Sequence, residues 1–282
     1  MVRADLHCHS SASDGTRRPA EVVRAAAAAG VDVLALTDHD TVAGVAAAAA
    51  ALPPGLRLLP GMELSCRYAG HSVHLLAYLF DPQHRELAAQ CLAIRQGRQQ
   101  RAAAMVERLA ALGVPVTWEQ VTSIAAGGVV GRPHIARAMV AAGVIGSVQD
   151  AFTGDWIGTG GRAHVPRYAL DPAAAVALVR EAGGVTVLAH PRAGREGWQL
   201  PAELIAQLAA AGLGGIEVAH PDHDEGERAA LRTLASELGL AATGGSDDHG
   251  ELTGDRIGCE TTAPQDLAAL LGGATGAAVL VR

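Results

Sequence analysis

The order of apolar and polar residues divides the chain into short runs of Val, Leu and Ile and longer alanine-rich stretches with a helical period. The runs at 2–7, 32–37, 56–60, 72–80, 185–190, 215–219, 240–245 and 277–281 read as buried strands, because a strand covered on both faces shows no polar alternation. Segments 19–29, 42–51, 172–182, 201–211 and 225–238 read as amphipathic helices, several opened by Pro and closed by Gly. Strand and helix in repeated alternation predict an α/β fold with a parallel sheet closed into a barrel.

The rhythm breaks between 82 and 167, where helical patterns at 85–112, 118–125, 133–142 and 147–152 follow one another with no strand between them. This predicts a helical insertion over 82–167 that caps the barrel mouth. The barrel domain is then discontinuous, made of 1–81 and 168–282, and Gly158-Thr-Gly-Gly161 serves as a pliable return to it.

Composition narrows the classes. A chain of 282 residues with 49% hydrophobic content can bury one large core, and a net charge of −7 without a long basic run argues against broad adhesion to nucleic acid. No apolar run reaches the roughly 18 residues of a membrane span. A ligand motif begins at Asp5, which leaves no room for a signal peptide, so the expected location is the cytoplasm. Four cysteines without a CxxC pair fit reduced thiols rather than a disulfide frame or a thiolate zinc site, and Cys8 reads as core.

The chemistry lies in His, Asp and Glu residues that mostly follow the apolar runs. His7 and His9 stand at i and i+2, so on a strand both rings leave the same face and can reach one ion. Asp14, His39, Glu63, His74, His190, Asp247 and His249 complete a mixed imidazole and carboxylate inventory, which suits Mn, Fe or Zn better than Ca. Any one of these, such as His74 or His190, reads in isolation as a structural histidine.

Taken in order, the motifs His7-Cys-His9, Ser13-Asp14-Gly15, Thr37-Asp38-His39-Asp40, Gly61-Met-Glu63, His74, Ala189-His190-Pro191 and Ser246-Asp247-Asp248-His249 resemble the polymerase and histidinol phosphatase (PHP) family of metallophosphoesterases. The segment Gly131-Arg132-Pro-His134-Ile-Ala-Arg137 is further similar to the stand-alone members of that family that act on nucleotides. The resemblance implies a distorted (β/α)7 TIM-like barrel with two or three divalent ions, Mn2+, Fe2+ or Zn2+. It places His7, His9, Glu63 and Asp247 on a first ion, Glu63 with His74 and His190 on a second, and Asp14, His39 and His249 on a third. Glu63 and Asp247 would serve a metal-bridging hydroxide as the catalytic pair.

The implied activity is that of a phosphoric monoester hydrolase. It converts a 3′,5′-nucleoside bisphosphate to the 5′-monophosphate and also takes short single-stranded RNA or DNA from the 5′ end. Histidinol-phosphate phosphatase and a non-catalytic PHP module are the alternatives. Neither a membrane nor an obligate protein partner is implied. Arg132 and His134 are candidates for a phosphate that is not cleaved, or else are ordinary helix residues. His220 and His223 follow the run at 215–219 and either touch substrate or cap a loop. Of Asp38 and Asp40, one is expected to orient His39 and the other to cap a helix starting at Thr41, while the roles of His164 and Asp248 stay open.

Overall fold

A computed structural model describes residues 2–125, 130–166, 168–193 and 199–282. Residue 167, the expected end of the insertion, lies outside them. The chain packs as two compact units, Met1–Cys91 with Ala169–Arg282, and Leu92–Tyr168.

The first unit is a seven-stranded, nearly closed α/β barrel. Its strands, β1 (Ala4–Asp5), β2 (Val33–Leu36), β3 (Arg57–Tyr68), β4 (His71–Tyr78), β5 (Val185–Leu188), β6 (Gly215–Ala219) and β7 (Ala241–Gly244), are hydrogen-bonded in chain order. Helices α1 (Pro19–Ala28), α2 (Val45–Ala50), α6 (Pro172–Glu181), α7 (Ala202–Ala211), α8 (Glu225–Glu237) and α9 (Pro264–Leu271) belong to the same unit. Their ends are written locally: the Asp171 carboxylate accepts the first free N–H groups of α6, Asp224 and Glu227 form a capping box on α8, and Gly212 closes α7 at φ 105°.

The strand period sorts the core. Val33 and Ala35 join Leu6, Leu59, Leu76, Tyr78 and Val187 in one cluster, onto which α9 packs Leu267 and Leu270. The intervening Leu34 and Leu36 join Val22, Val23, Ala26 and Ala48 of α1 and α2 in another, which also buries Cys8. The ring is drawn together between β1 and β7 by Leu6 N–H to the Gly244 carbonyl at 3.3 Å, Asp247 N–H to that of His7 at 2.8 Å and His9 N–H to that of Asp248 at 2.9 Å.

The sheet departs from the expected parallel order at β4, which runs antiparallel to both β3 and β5. Pro60 suggests the end of a strand, yet β3 continues through it to Tyr68 and returns over the two-residue turn Ala69-Gly70, with φ 47° and 90°. Both residues have positive φ, as in the primed turns that suit hairpin twist, but Ala at the first position mutes the usual Asn-Gly signal. The run at 277–281 forms no full strand. Leu280 exchanges two hydrogen bonds with Leu58, ahead of the Gly61–Tyr68 stretch on which β4 pairs. Helix α9 has no counterpart among the expected elements.

The second unit is helical. The greater part of α3 (Arg85–Ala111), with α4 (Trp118–Ile124), α5 (Arg132–Ala141) and a 3-10 turn at Gln149–Phe152, surrounds Met105, Leu109, Val121, Ile135, Met139 and Ile157. Thr117 and Gln120 cap α4 reciprocally. Among the described residues no helix is long and apolar enough to cross a membrane.

Closure of the barrel leaves no room at Gly245, where a methyl group would lie 2.6 Å from the His7 nitrogen. Gly245→Ala is expected to cost roughly 3 kcal/mol, the upper end for insertion into packed structure. Gly239→Ala, at φ +66° with nothing within 4 Å, should cost only the left-handed backbone strain of about 1 kcal/mol. Urea unfolding of the two variants checks this; equal losses would contradict close packing at the β1–β7 seam.

Candidate metal centre

The strand ends deliver nine side chains to one place. His7 and His9 come in extended chain after β1, His39 after β2, Glu63 from within β3, His74 from β4, His190 after β5, and Asp247 and His249 after β7, with Asp14 on the loop before α1. Three residues of this face hold positive φ without being glycine: Asp40 at 53°, His190 at 27° and Asp247 at 48°. Strained backbone of this kind clusters where side chains must be aimed.

Glu63 is the hub. Its Oε2 lies 3.3 Å from His7 Nε2, 3.1 Å from His9 Nε2 and 3.2 Å from His39 Nδ1, and its Oε1 lies 2.7 Å from His74 Nδ1 and 3.0 Å from His190 Nε2. Asp247 Oδ1 is 3.3 Å from both His7 Nε2 and His9 Nε2. Asp14 faces His39 and His249 at 3.4 Å each. The floor of the cluster is sealed, with His7, His9 and Glu63 at most 1% exposed, whereas Asp14, His39, His74, His190, Asp247 and His249 keep partial access to solvent.

Charge governs the titration. Burial alone would drive the His7 imidazole toward neutrality, but the Glu217, Asp247 and Glu63 carboxylates outweigh it and hold its pKa well above the usual histidine range. His9 follows the same balance of burial against hydrogen bonds to Asp247 and Glu63, and is pushed up to about 10. For Glu63, burial opposes ionisation and the surrounding imidazoles of His39, His74 and His7 overcome it, so its pKa falls well below the carboxylate range. Asp247 is lowered in the same way, against burial, by His7, His220 and His9.

The donor set fits divalent ions. Three groups of ligand atoms each lie within 4.8 Å of one another: His7, His9, Glu63 and Asp247; His39, Glu63 and His74; and His9, Asp14, His39 and His249. His7 Nε2 and His9 Nε2 face each other at 3.1 Å, a distance at which both cannot carry protons, and His9 Nδ1 is buried with no hydrogen-bond partner among the described residues. Imidazole and carboxylate in this mixture are ligands for transition metals. The third group includes His9 beside the expected Asp14, His39 and His249. His190 falls outside the second but keeps its contact with the Glu63 carboxylate.

Other expected residues take definite places. His220 is buried, accepts the Asp222 N–H on Nδ1 at 3.1 Å and so presents Nε2–H toward Asp247 Oδ2 at 3.4 Å. His223 commits both nitrogens to main chain: Nδ1 donates to the Val218 carbonyl at 3.0 Å, and Nε2 accepts the Arg192 N–H at 3.3 Å. Asp38 caps no helix, since α2 starts behind Gly44; its carboxylate instead accepts from Ser10 N, Ser10 Oγ and Ser13 Oγ and so fixes the loop that carries Asp14. Asp40 likewise does not cap α2, and accepts from Ser65 N and Oγ on β3. Asp248 is buried, paired with Arg17 at 2.9 Å and with the N–H groups of Gly250 and Arg256. Within the helical unit, Arg132 stacks its guanidinium 5.3 Å above the Phe152 ring, His134 Nδ1 accepts the Gly131 N–H at 3.0 Å, and the His164 carbonyl accepts from Arg108.

Two contributors, Glu217 and Arg256, escape sequence reasoning, and the part played by Asp5, which opens the ligand motif, is not legible there. Glu217 on β6 is buried against His7 and His190, Asp5 accepts from Ser246 N and Gly258 N, and Arg256 donates to the Asp247 carbonyl at 2.7 Å. A lone acid inside an apolar strand, as in Gly215-Ile-Glu217-Val, is the one sequence signal that points to any of them.

The chain is similar to known proteins. The PHP domain family matches residues 5–113. A 5′-3′ exoribonuclease of Haemophilus influenzae is 35% identical over 87% of this chain and 89% of its own length. A 3′,5′-nucleoside bisphosphate phosphatase of Chromobacterium violaceum is 36% identical over 91% and 90%. The crystal structure of a candidate metal-dependent phosphoesterase from Bifidobacterium adolescentis superposes with a TM-score of 0.83 at 35% identity, covering 96% of each chain.

With its pKa pushed up to about 10, His9 holds an extra proton at neutral pH in the metal-free protein, and the pKa values of His7 and His190 are raised as well, so an ion competes with protons for these nitrogens. Metal affinity should therefore rise with pH, and binding at about pH 7 should release on the order of one proton or more per ion. Calorimetric titration with Zn2+ in buffers of different ionisation enthalpy reads the proton count; a value of zero would contradict the charge state described.

Proposed function

The chain belongs to the PHP family of metal-dependent phosphoesterases, and from that premise we propose that it removes the 3′-phosphate of a 3′,5′-nucleoside bisphosphate, leaving the nucleoside 5′-monophosphate. The observation that carries the chemistry is the sharing of Glu63 between two ligand groups. In this reading two or three ions, Mn2+, Fe2+ or Zn2+, are held by His7, His9, Glu63 and Asp247, by Glu63, His74 and His190, and by Asp14, His39 and His249. Such ions would supply positive charge for the phosphoryl oxygens and would lower the pKa of water, making it a nucleophile at neutral pH.

The chain's own residues do the rest. Glu63 and Asp247 stay ionised and aim their oxygens at the centre, which makes them the residues on which turnover depends. His220 and Arg256 restrain Asp247, the first at its carboxylate and the second at its carbonyl. The buried floor excludes water from beneath, and the accessible rim of His74, His190 and His249 is the side open to a phosphate ester.

The substrate class follows the two curated relatives, one named for a nucleoside bisphosphate and one for RNA. Activity on the 5′ end of short oligonucleotides is therefore the second reading. Phosphate release by Mn-loaded protein, compared across 3′,5′-nucleoside bisphosphates, mononucleotides, histidinol phosphate and short 5′-phosphorylated RNA, should give the highest kcat/KM with the bisphosphate; a preference for histidinol phosphate would overturn the assignment. Glu63→Gln and Asp247→Asn should each lower kcat by roughly 1000-fold or more with the fold retained by circular dichroism. Near-normal turnover in either would remove it from the site.

A further inference from the structure

A second carboxylate lies against the imidazoles of the centre. Glu217, in the middle of β6 between the buried Ile216 and Val218, is fully enclosed. One of its oxygens is 3.0 Å from His7 Nδ1, and the other accepts the main-chain N–H of His190 at 2.7 Å. An ionised carboxylate only accepts hydrogen bonds. The His190 N–H is a donor by its chemistry, and His7 can satisfy its side of the contact only with a proton on Nδ1. That leaves the lone pair of His7 on Nε2, the atom that faces Glu63, Asp247 and His9 at 3.1 to 3.3 Å.

We propose that Glu217 is a positioning residue: it fixes the proton of His7 on Nδ1, turns Nε2 into a ligand atom, and ties that ring to the positive-φ main chain of His190. The inference rests on the reading that an ion binds among His7, His9, Glu63 and Asp247. It adds that the competence of this one group is set from β6, by a residue that touches neither ion nor substrate. One buried side chain thus joins ligands delivered by β1 and β5. Carboxylates that hold the far nitrogen of a ligating imidazole commonly change metal affinity about 10- to 100-fold.

The isosteric variant Glu217→Gln reverses the pattern. The His190 N–H cannot become an acceptor, so the amide oxygen stays with it and the NH2 turns toward His7. His7 must then accept on Nδ1 and carry its proton on Nε2, where an ion needs the lone pair.

The test is Zn2+ titration of the full chain, followed by nitrogen-15 NMR of histidine-labelled protein, with the His7 signals assigned by their loss in His7→Gln. Wild-type protein should bind zinc with the His7 proton on Nδ1. Glu217→Gln should bind one ion about 10- to 100-fold more weakly, keep its remaining zinc, and show the His7 proton on Nε2. If Glu217→Gln gives no folded protein, Glu217→Asp, which remains an acceptor but shortens the reach, should likewise weaken one ion while the remaining zinc is kept. Unchanged affinity at every site, or a uniform loss at all sites with the His7 proton still on Nδ1, overturns the inference. Wild-type protein that binds no zinc overturns instead the underlying reading of a metal centre.

Discussion

One buried negative charge organises this barrel. The Glu63 carboxylate sits in the interior with at most 1% of its surface exposed, where an isolated ion would be costly, and five imidazole nitrogens stand within 3.3 Å of its two oxygens. Compensation can come from protons on those imidazoles or from divalent ions, and the two compete for the same lone pairs. The rest of the face serves that competition: Asp247 and Asp14 extend the negative set, while Asp38 with Ser10 and Ser13 holds the loop on which Asp14 rides. Asp5 anchors the start of the cluster by accepting from Ser246 and Gly258.

The irregular part of the sheet is what delivers the second ligand group. In a regular βα repeat the chain leaves a strand and passes through a helix before returning. Here β3 turns straight back as β4, so Ser65 pairs with His74 and Glu63 with Leu76. Glu63 and His74 thus become diagonal neighbours on one face, close enough for the 2.7 Å contact between Oε1 and Nδ1. Hairpin register, rather than loop conformation, fixes this pair, and hydrogen bonds along the ladder hold it more rigidly than a loop could.

Legibility in the sequence followed physical type. The βα units over β1–β2 and β5–β7 were readable because buried parallel strands give unbroken apolar runs, and the succession of helices between β4 and β5 because their apolar positions keep a helical period. The hairpin was not, since Pro60 suggests termination and Ala69-Gly70 lacks the usual turn residues. The nine ligand candidates were recognisable by their order along the chain, and folding gathers them within reach of one another. The helix cap expected of Asp38 or Asp40 was misplaced, because their partners, Ser10 with Ser13 and Ser65, are set by tertiary contact rather than by neighbours in sequence. Glu217 lay hidden for a related reason: its meaning comes from His7, 210 positions away.

Crystals of the protein grown with Mn2+ or Zn2+, with diffraction recorded at the metal's absorption edge, test the central claim most directly. Two or three anomalous peaks are expected within the three ligand groups, two of them beside the Glu63 carboxylate. A single peak away from Glu63, or none at full loading, would contradict it.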